Sequence, residues 1–139
     1  MALVSIITPS WNVATLIGET IASVQAQTMT DWELLIADDC STDQTAAIVE
    51  NHAAQDPRVK LIRQPRNGGP ALARQAAIDQ AQGRFIAFLD SDDLWLPTKL
   101  EHIAEIAVYM VFLTILLAIP WILWLGYAVS TTKRSQHDE

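Results

Sequence analysis

The chain has 139 residues, room for one small domain, and a formal net charge of −7. Residues 1–105 carry 7 Lys and Arg against 14 Asp and Glu. Such an acidic segment argues against nucleic-acid binding, which needs a basic face, and suits a site that holds a divalent cation. The single cysteine, Cys40, excludes an internal disulfide and fits a reducing compartment.

Leu3 to Thr8 is a short apolar run closed by Pro9, as expected of a strand buried on both faces. It has no basic flank and reads as a strand, not as a signal peptide. Ala14 to Gln27 follows with Ile17, Ile21 and Val24 at helical spacing. Trp32 to Ala37 is the second strand and closes on Asp38 and Asp39. Ser41 with Gln44 three residues later predicts a capping box and a helix to about Ala54, broken by Asp56-Pro57. Val59 to Arg63 is the third strand. After the loop Asn67-Gly68-Gly69, Pro70 suits the first turn of an alanine-rich helix over Ala71 to Gln82, ended by Gly83. Phe85 to Leu89 is the fourth strand, followed by Asp90-Ser91-Asp92-Asp93, and Pro97 opens a last helix.

This alternation predicts an α/β domain with an open, mostly parallel sheet and flanking helices. Ligands of such sheets bind outside the carboxyl ends of the strands. Three polar loops follow strands directly: Pro9 to Asn12, Asp38-Asp39, and Asp90 to Asp93. They are expected to meet at one edge.

Ile106 to Val129 is a run of 24 residues without a charge. At ~1.5 Å per residue it matches the roughly 30 Å hydrocarbon core of a bilayer, and it predicts one C-terminal transmembrane helix. Tyr109 near one end and Trp121, Trp124 and Tyr127 near the other fit interfacial aromatic belts, and Pro120 predicts a kink that membranes tolerate. The expected division is a folded region over 1–102, a membrane helix over 103–130 and a polar tail over 131–139.

Asp90 and Asp92 stand two residues apart at a strand end. Mg²⁺ or Mn²⁺ prefers oxygen ligands and usually takes one or two carboxylates plus substrate phosphates. The same acids would also serve as a solvated loop, and Asp38 and Asp39 as turn residues. No G-x-G-x-x-G follows the first strand and there is no P-loop pattern, which argues against a dinucleotide oxidoreductase and a nucleoside triphosphatase.

Taken together, four motifs in order over residues 3–101 resemble family 2 glycosyltransferases of the GT-A fold. They are Val4-Ser5-Ile6-Ile7-Thr8-Pro9-Ser10-Trp11-Asn12; Asp38-Asp39-Cys40-Ser41-Thr42-Asp43; Asn67-Gly68-Gly69 with Ala73-Arg74; and Phe88-Leu89-Asp90-Ser91-Asp92-Asp93 followed by Trp95 and Pro97. The resemblance implies a partial GT-A, Rossmann-like fold and transfer of a sugar from a nucleotide donor, a UDP-sugar above all. It implies that Pro9 and Trp11 line the nucleoside pocket, that Asp39 bonds the base with Asp38 in support, and that Arg74 lies near the diphosphate or holds the acidic loop. Asp90 and Ser91 would face the sugar and diphosphate, and Asp92 with Asp90 the metal, Mg²⁺ or Mn²⁺.

Two positions depart from the family pattern: Cys40 stands for a glycine, and Gln75 for an asparagine. Cys40 strains the turn if it requires positive φ. Family members continue into a second half with the acceptor site and the catalytic base, an acidic residue that takes the acceptor proton. Here the chain passes from the fourth strand into the apolar helix. Three readings follow: a membrane-anchored transferase completed by a partner chain, with a lipid-linked acceptor; a module that binds a nucleoside diphosphate without turnover; or an inactive product whose second half was replaced. The uncovered sheet edge predicts either homo-oligomers or poor solubility of the folded region on its own. Lys133 and Arg134 after the span favour a cytoplasmic C-terminus, but cytoplasmic sugar nucleotides and the lack of an export signal weigh more. A single-pass topology with the folded region in the cytoplasm is expected.

Overall fold

A computed structural model describes residues 2–135, with side-chain environments for residues 2–106 and 109–120. The elements are β1 (Val4–Ser10), α1 (Ile17–Gln25), β2 (Trp32–Asp38), α2 (Thr45–Gln55), β3 (Val59–Arg63), α3 (Pro70–Ile78), β4 (Phe85–Phe88) and α4 (Lys99–Ser135). The chain divides into two compact units, Met1–Leu100 and Glu101–Glu139.

In the first unit all four strands run parallel in the order β3-β2-β1-β4. β1 and β2 are buried at every position, as their unbroken apolar runs require of strands covered on both faces. Ala73 and Ala77 of α3, one helical turn apart, pack on Ile7, Leu35, Ala37 and Ile62. Their small side chains bring the helix close to the sheet, as expected from its alanine content.

The strand order reverses at β1, so the crevice between the carboxyl ends of β1 and β4 is the topological switch point. β4 pairs with β1 only from Val4↔Phe85 to Ile7↔Phe88, while β1 continues beside β2 to Ser10↔Asp38. The Leu89 amide donates to the Ile7 carbonyl at 3.1 Å, so odd-numbered β1 residues turn their backbone groups toward β4. Pro9 shares that side, past the last β4 pair. Its missing N–H therefore costs no ladder bond, and the strand runs two residues beyond the expected end at Thr8.

The amino ends of the strands are tied by Glu33, which is buried. Its carboxylate accepts from Ser5 Oγ at 2.6 Å, the Gln82 amide at 2.7 Å and Lys60 Nζ at 2.8 Å. Burial raises the Glu33 carboxyl, and the bonds from Lys60, Ser5 and Gln82 outweigh it, leaving it below its ordinary value of 4.5. Its contribution to stability is present above that value and is lost as pH falls through the lower folded one.

Three expected boundaries are corrected. α3 ends at Ile78, not near Gln82, and Gly83 does not terminate it. A Cβ at Gly83 would lie 2.5 Å from the Ser5 backbone nitrogen, so the glycine is required by its close approach to β1. The capping box of Ser41 and Gln44 does not form: α2 starts at Thr45, and Gln44 makes no side-chain cap. The Thr45 amide donates instead to Asp43 Oδ1 at 2.9 Å. α1 begins at Ile17, after the expected Ala14, because the amides of Val13 and Ala14 donate to Thr45 Oγ1 and Asp43 Oδ2.

α4 opens at Lys99, two residues after Pro97, and continues through Pro120; from Glu101 on it belongs to the second unit. Within Lys99–Pro120 an 18-residue window has a mean hydropathy of 2.3, and its described side chains are not buried, with Phe112 and Leu117 68% and 64% exposed. By length and composition this stretch could cross a membrane. The expected belt at Trp121, Trp124 and Tyr127, the charges of Lys133 and Arg134 and the polar tail lie outside the described side chains.

Candidate functional site

A cavity of about 450 Å³ opens at the switch point, within the size range of small-molecule sites. Pro9, Ser10 and Trp11 reach it from β1, Asp39 from the end of β2, and Asp90, Ser91 and Asp92 from the loop after β4. A fourth contribution was not expected from strand order: Asn67, Gly69, Pro70, Ala73 and Arg74, from the amino end of α3 and the loop before it.

Asp39 is 3% exposed and organises this fourth wall. Its two carboxylate oxygens accept from the amides of Gly68 and Gly69 at 2.8 and 2.7 Å, and its carbonyl accepts from Asn67 Nδ2 at 3.0 Å. Gly69, the N-cap of α3, has φ of 83°, a conformation that favours glycine. Asp39 thus sets where α3 begins. A carboxylate has about four acceptor positions, so Asp39 keeps capacity for a ligand.

Asp38, expected to support Asp39, is not among the residues that line the cavity. Its oxygens accept from the hydroxyl and the amide of Ser41. Ser41 Oγ in turn accepts from the Asn12 amide at 2.9 Å, and Asn12 Oδ1 accepts from the Thr42 amide at 2.8 Å. Asn12 and Ser41 therefore clasp the loop after β1 to the loop after β2. Asn12 does so at φ of 52°, which asparagine tolerates. Neither role was legible in spacing, although an asparagine just past a strand is a known marker of such turns.

Cys40 sits at φ of 63°, in the left-handed region, so the departure from glycine at this position does strain the turn. Its thiol reaches the Gln64 carbonyl at 3.3 Å, a weak bond. Cys40→Gly is expected to stabilise the chain by about 0.5–1 kcal/mol, the left-handed penalty less the entropy of a freer backbone. Thermal melting would show it as a rise of a few degrees, and a lowered midpoint would refute it.

Arg74, on α3, donates to Asp90 Oδ1 at 2.6 Å across the cavity mouth. The bridge joins α3 to the acidic loop, and both side chains are partly exposed, so its worth in stability is small. Asp92 is exposed on the same wall and forms no ion pair among the described residues. Trp11 is 57% exposed at the rim, a flat apolar surface open to a stacking partner. Ser10 Oγ is buried with no hydrogen-bond partner, a polar group that a ligand or water would satisfy.

Among the described residues no three Asp, Glu, His or Cys side chains cluster as a metal cage. A Mg²⁺ or Mn²⁺ ion bound through one or two carboxylates and completed by substrate phosphates needs no such cage. Asp92, with Asp90 beside it on an open wall, fits that mode of binding.

Comparison with known proteins bears on the family and the fold. The profile of the family Glycosyl transferase family 2 matches residues 5–109, and the chain belongs to that family. UDP-Glc:α-D-GlcNAc-diphosphoundecaprenol β-1,3-glucosyltransferase WfgD of Escherichia coli is 50% identical over 99 residues, which cover 71% of this chain and 38% of that one. The crystal structure of S. aureus TarS in complex with UDP superposes with a TM-score of 0.70 at 36% identity, over 76% of this chain and 31% of that one. The mannosyltransferase PcManGT of Pyrobaculum calidifontis, in complex with GDP-Man and Mn²⁺, gives a TM-score of 0.63 at 30% identity, over 67% and 28%. The chain thus spans about two fifths or less of the length of these relatives. Its first unit has the open, mostly parallel sheet of their GT-A fold, as expected.

Proposed function

We propose that the first unit is the donor-binding part of a glycosyltransferase that holds a nucleoside diphosphate sugar, a UDP-sugar above all, together with Mg²⁺ or Mn²⁺. The observation that carries this reading is the convergence of four loops on one cavity at the switch point. Trp11 and Pro9 offer an apolar surface to the base, and Asp39 keeps lone pairs for a base N–H. Arg74 supplies positive charge beside the diphosphate, and Asp90 and Ser91 stand where its sugar end would lie. Asp92 holds the metal, with Asp90 next to it. The bound ion neutralises charge that develops on the departing diphosphate. UDP and UDP-GlcNAc in TarS, and GDP-Man with Mn²⁺ in PcManGT, support the ligand class.

Transfer also needs a base for the acceptor hydroxyl. The acids on the cavity wall are Asp39, Asp90 and Asp92, and each has another task in this reading. The acceptor side and the base therefore come from outside the residues described, and WfgD, named for a diphosphoundecaprenol acceptor, supports a lipid-linked one. α4 would hold the donor site at the membrane where such an acceptor lies. A second reading is binding without turnover.

Calorimetric titration of the full chain in detergent with UDP, with and without Mn²⁺, tests the donor site. Binding strengthened by Mn²⁺ is the expected result. No binding to folded protein would refute the reading. Release of sugar from a UDP-sugar would then separate an enzyme from a binding module.

A further inference from the structure

The loop that carries Asp90 and Asp92 has little structure of its own. Between β4 and α4 the backbone bonds within it are Asp93 to Asp90 and Lys99 to Leu96. It is instead fastened, group by group, to α1 and the turn after it. Thr20 Oγ1 donates to the Ser91 carbonyl at 2.9 Å. Ser23 Oγ accepts from the Trp95 amide at 3.2 Å. Gln27 donates to the Leu96 carbonyl at 2.8 Å and accepts from the Leu100 amide at 3.0 Å.

Thr20 and Ser23 are three residues apart on one face of α1, and Gln27 follows four residues later in the turn past its C-cap, Ala26. Thr20 and Gln27 are 1% and 5% exposed, on the inward side beside Ile17, Ile21 and Val24. Packing alone would place apolar residues there, because burying a polar side chain is unfavourable unless it is hydrogen-bonded. Each one is bonded, and each takes a backbone group of the same loop. Ser91 stands between the two acids, so a bond to its carbonyl fixes the peptide that joins it to Asp92.

From these bonds we infer that Thr20, Ser23 and Gln27 are positioning residues that hold the Asp90–Asp92 loop in the geometry needed for a divalent cation and diphosphate. This rests on the donor-site reading above. Thr20 is the member nearest the acids in the chain of bonds, and it carries the largest effect. Arg74 holds the same loop from the opposite wall through Asp90, so the loop is gripped on two sides while Asp92 itself stays free for a ligand.

The test uses Thr20→Val, which keeps the shape and removes the hydroxyl, and Thr20→Ser, which keeps the hydroxyl. UDP affinity is measured on the full chain in detergent with and without Mn²⁺. The ratio of the two affinities is expected to fall by about three- to tenfold in Thr20→Val, with affinity in the absence of metal unchanged, and to be retained in Thr20→Ser. An unchanged ratio in Thr20→Val, or an equal loss with and without metal, would overturn the inference. Hydrogen exchange of residues 91–96 gives a reading that needs no ligand. Faster exchange there in Thr20→Val alone, with β1 and β2 still protected, supports the positioning role, and exchange equal to that of the original chain refutes it. If the original chain binds no UDP, the donor-site reading falls by itself and the exchange result still decides this one.

Discussion

Asp92→Asn is expected to abolish the strengthening of UDP binding by Mn²⁺ while leaving metal-free binding unchanged. Asp92 is exposed on the cavity wall without an ion-pair partner among the described residues, so the amide replaces it without disturbing a neighbour. The substitution removes one negative charge and a hard oxygen ligand from a site that offers few. Even groups that only support a metal ligand are worth about 10- to 100-fold in affinity, so loss of the ligand itself is expected to cost about 100-fold or more. Titration with Mn²⁺ at fixed UDP reads this directly. Asp90→Asn is the contrasting variant, because it also breaks the bridge to Arg74. If Asp92→Asn responds to Mn²⁺ like the original chain, the metal lies elsewhere.

Asp39→Ala is expected to have the largest effect on the fold of the site. The carboxylate accepts from two successive amides at 2.8 and 2.7 Å while almost fully buried. Hydrogen bonds to a charged acceptor contribute about 1.5–3 kcal/mol each. Gly68 is exposed and Gly69 half-buried, so water recovers part of the loss. A destabilisation of about 3 kcal/mol is expected, measurable by denaturant unfolding. With the anchor of Gly69 gone, the start of α3 shifts, and Pro70, Ala73 and Arg74 leave their places on the wall. UDP affinity is expected to fall at least about tenfold even without metal, which separates this variant from Asp92→Asn. Asp39→Asn keeps one acceptor oxygen and is expected to fall between the two. Stability within ~0.5 kcal/mol of the original in Asp39→Ala would show that the two glycine amides do not depend on it.

The two variants divide the site by cause. One changes what the wall offers to a ligand, and the other changes whether the wall exists. Family membership does not by itself separate these roles, because Asp39 and Asp92 both belong to motifs that relatives share.

The local sequence was enough to determine the alternation of strands and helices, the polar loops at strand ends and the apolar length of α4. These depend on residue periodicity and on the backbone preferences of near neighbours, which travel with the sequence itself. The four motifs in order were enough to indicate the family for the same reason. The tertiary structure alone decided what each polar residue does. Ser41 and Gln44 have the spacing of a capping box, yet Ser41 bonds to Asn12, 29 residues away. Gly83 follows a helix as a terminator would, yet its place is set by Ser5, 78 residues earlier in the chain. Asp38 and Asp39 are adjacent and chemically alike, but strand alternation sends one to the β2 turn and the other to the cavity. Nothing in the local sequence marks Thr20 and Gln27 as partners of the loop after β4, which they bond across 71 and 69 residues. A hydrogen bond between distant segments leaves no local pattern, because its partner is chosen by the packing of sheet and helices, and that is where the geometry of this site is decided.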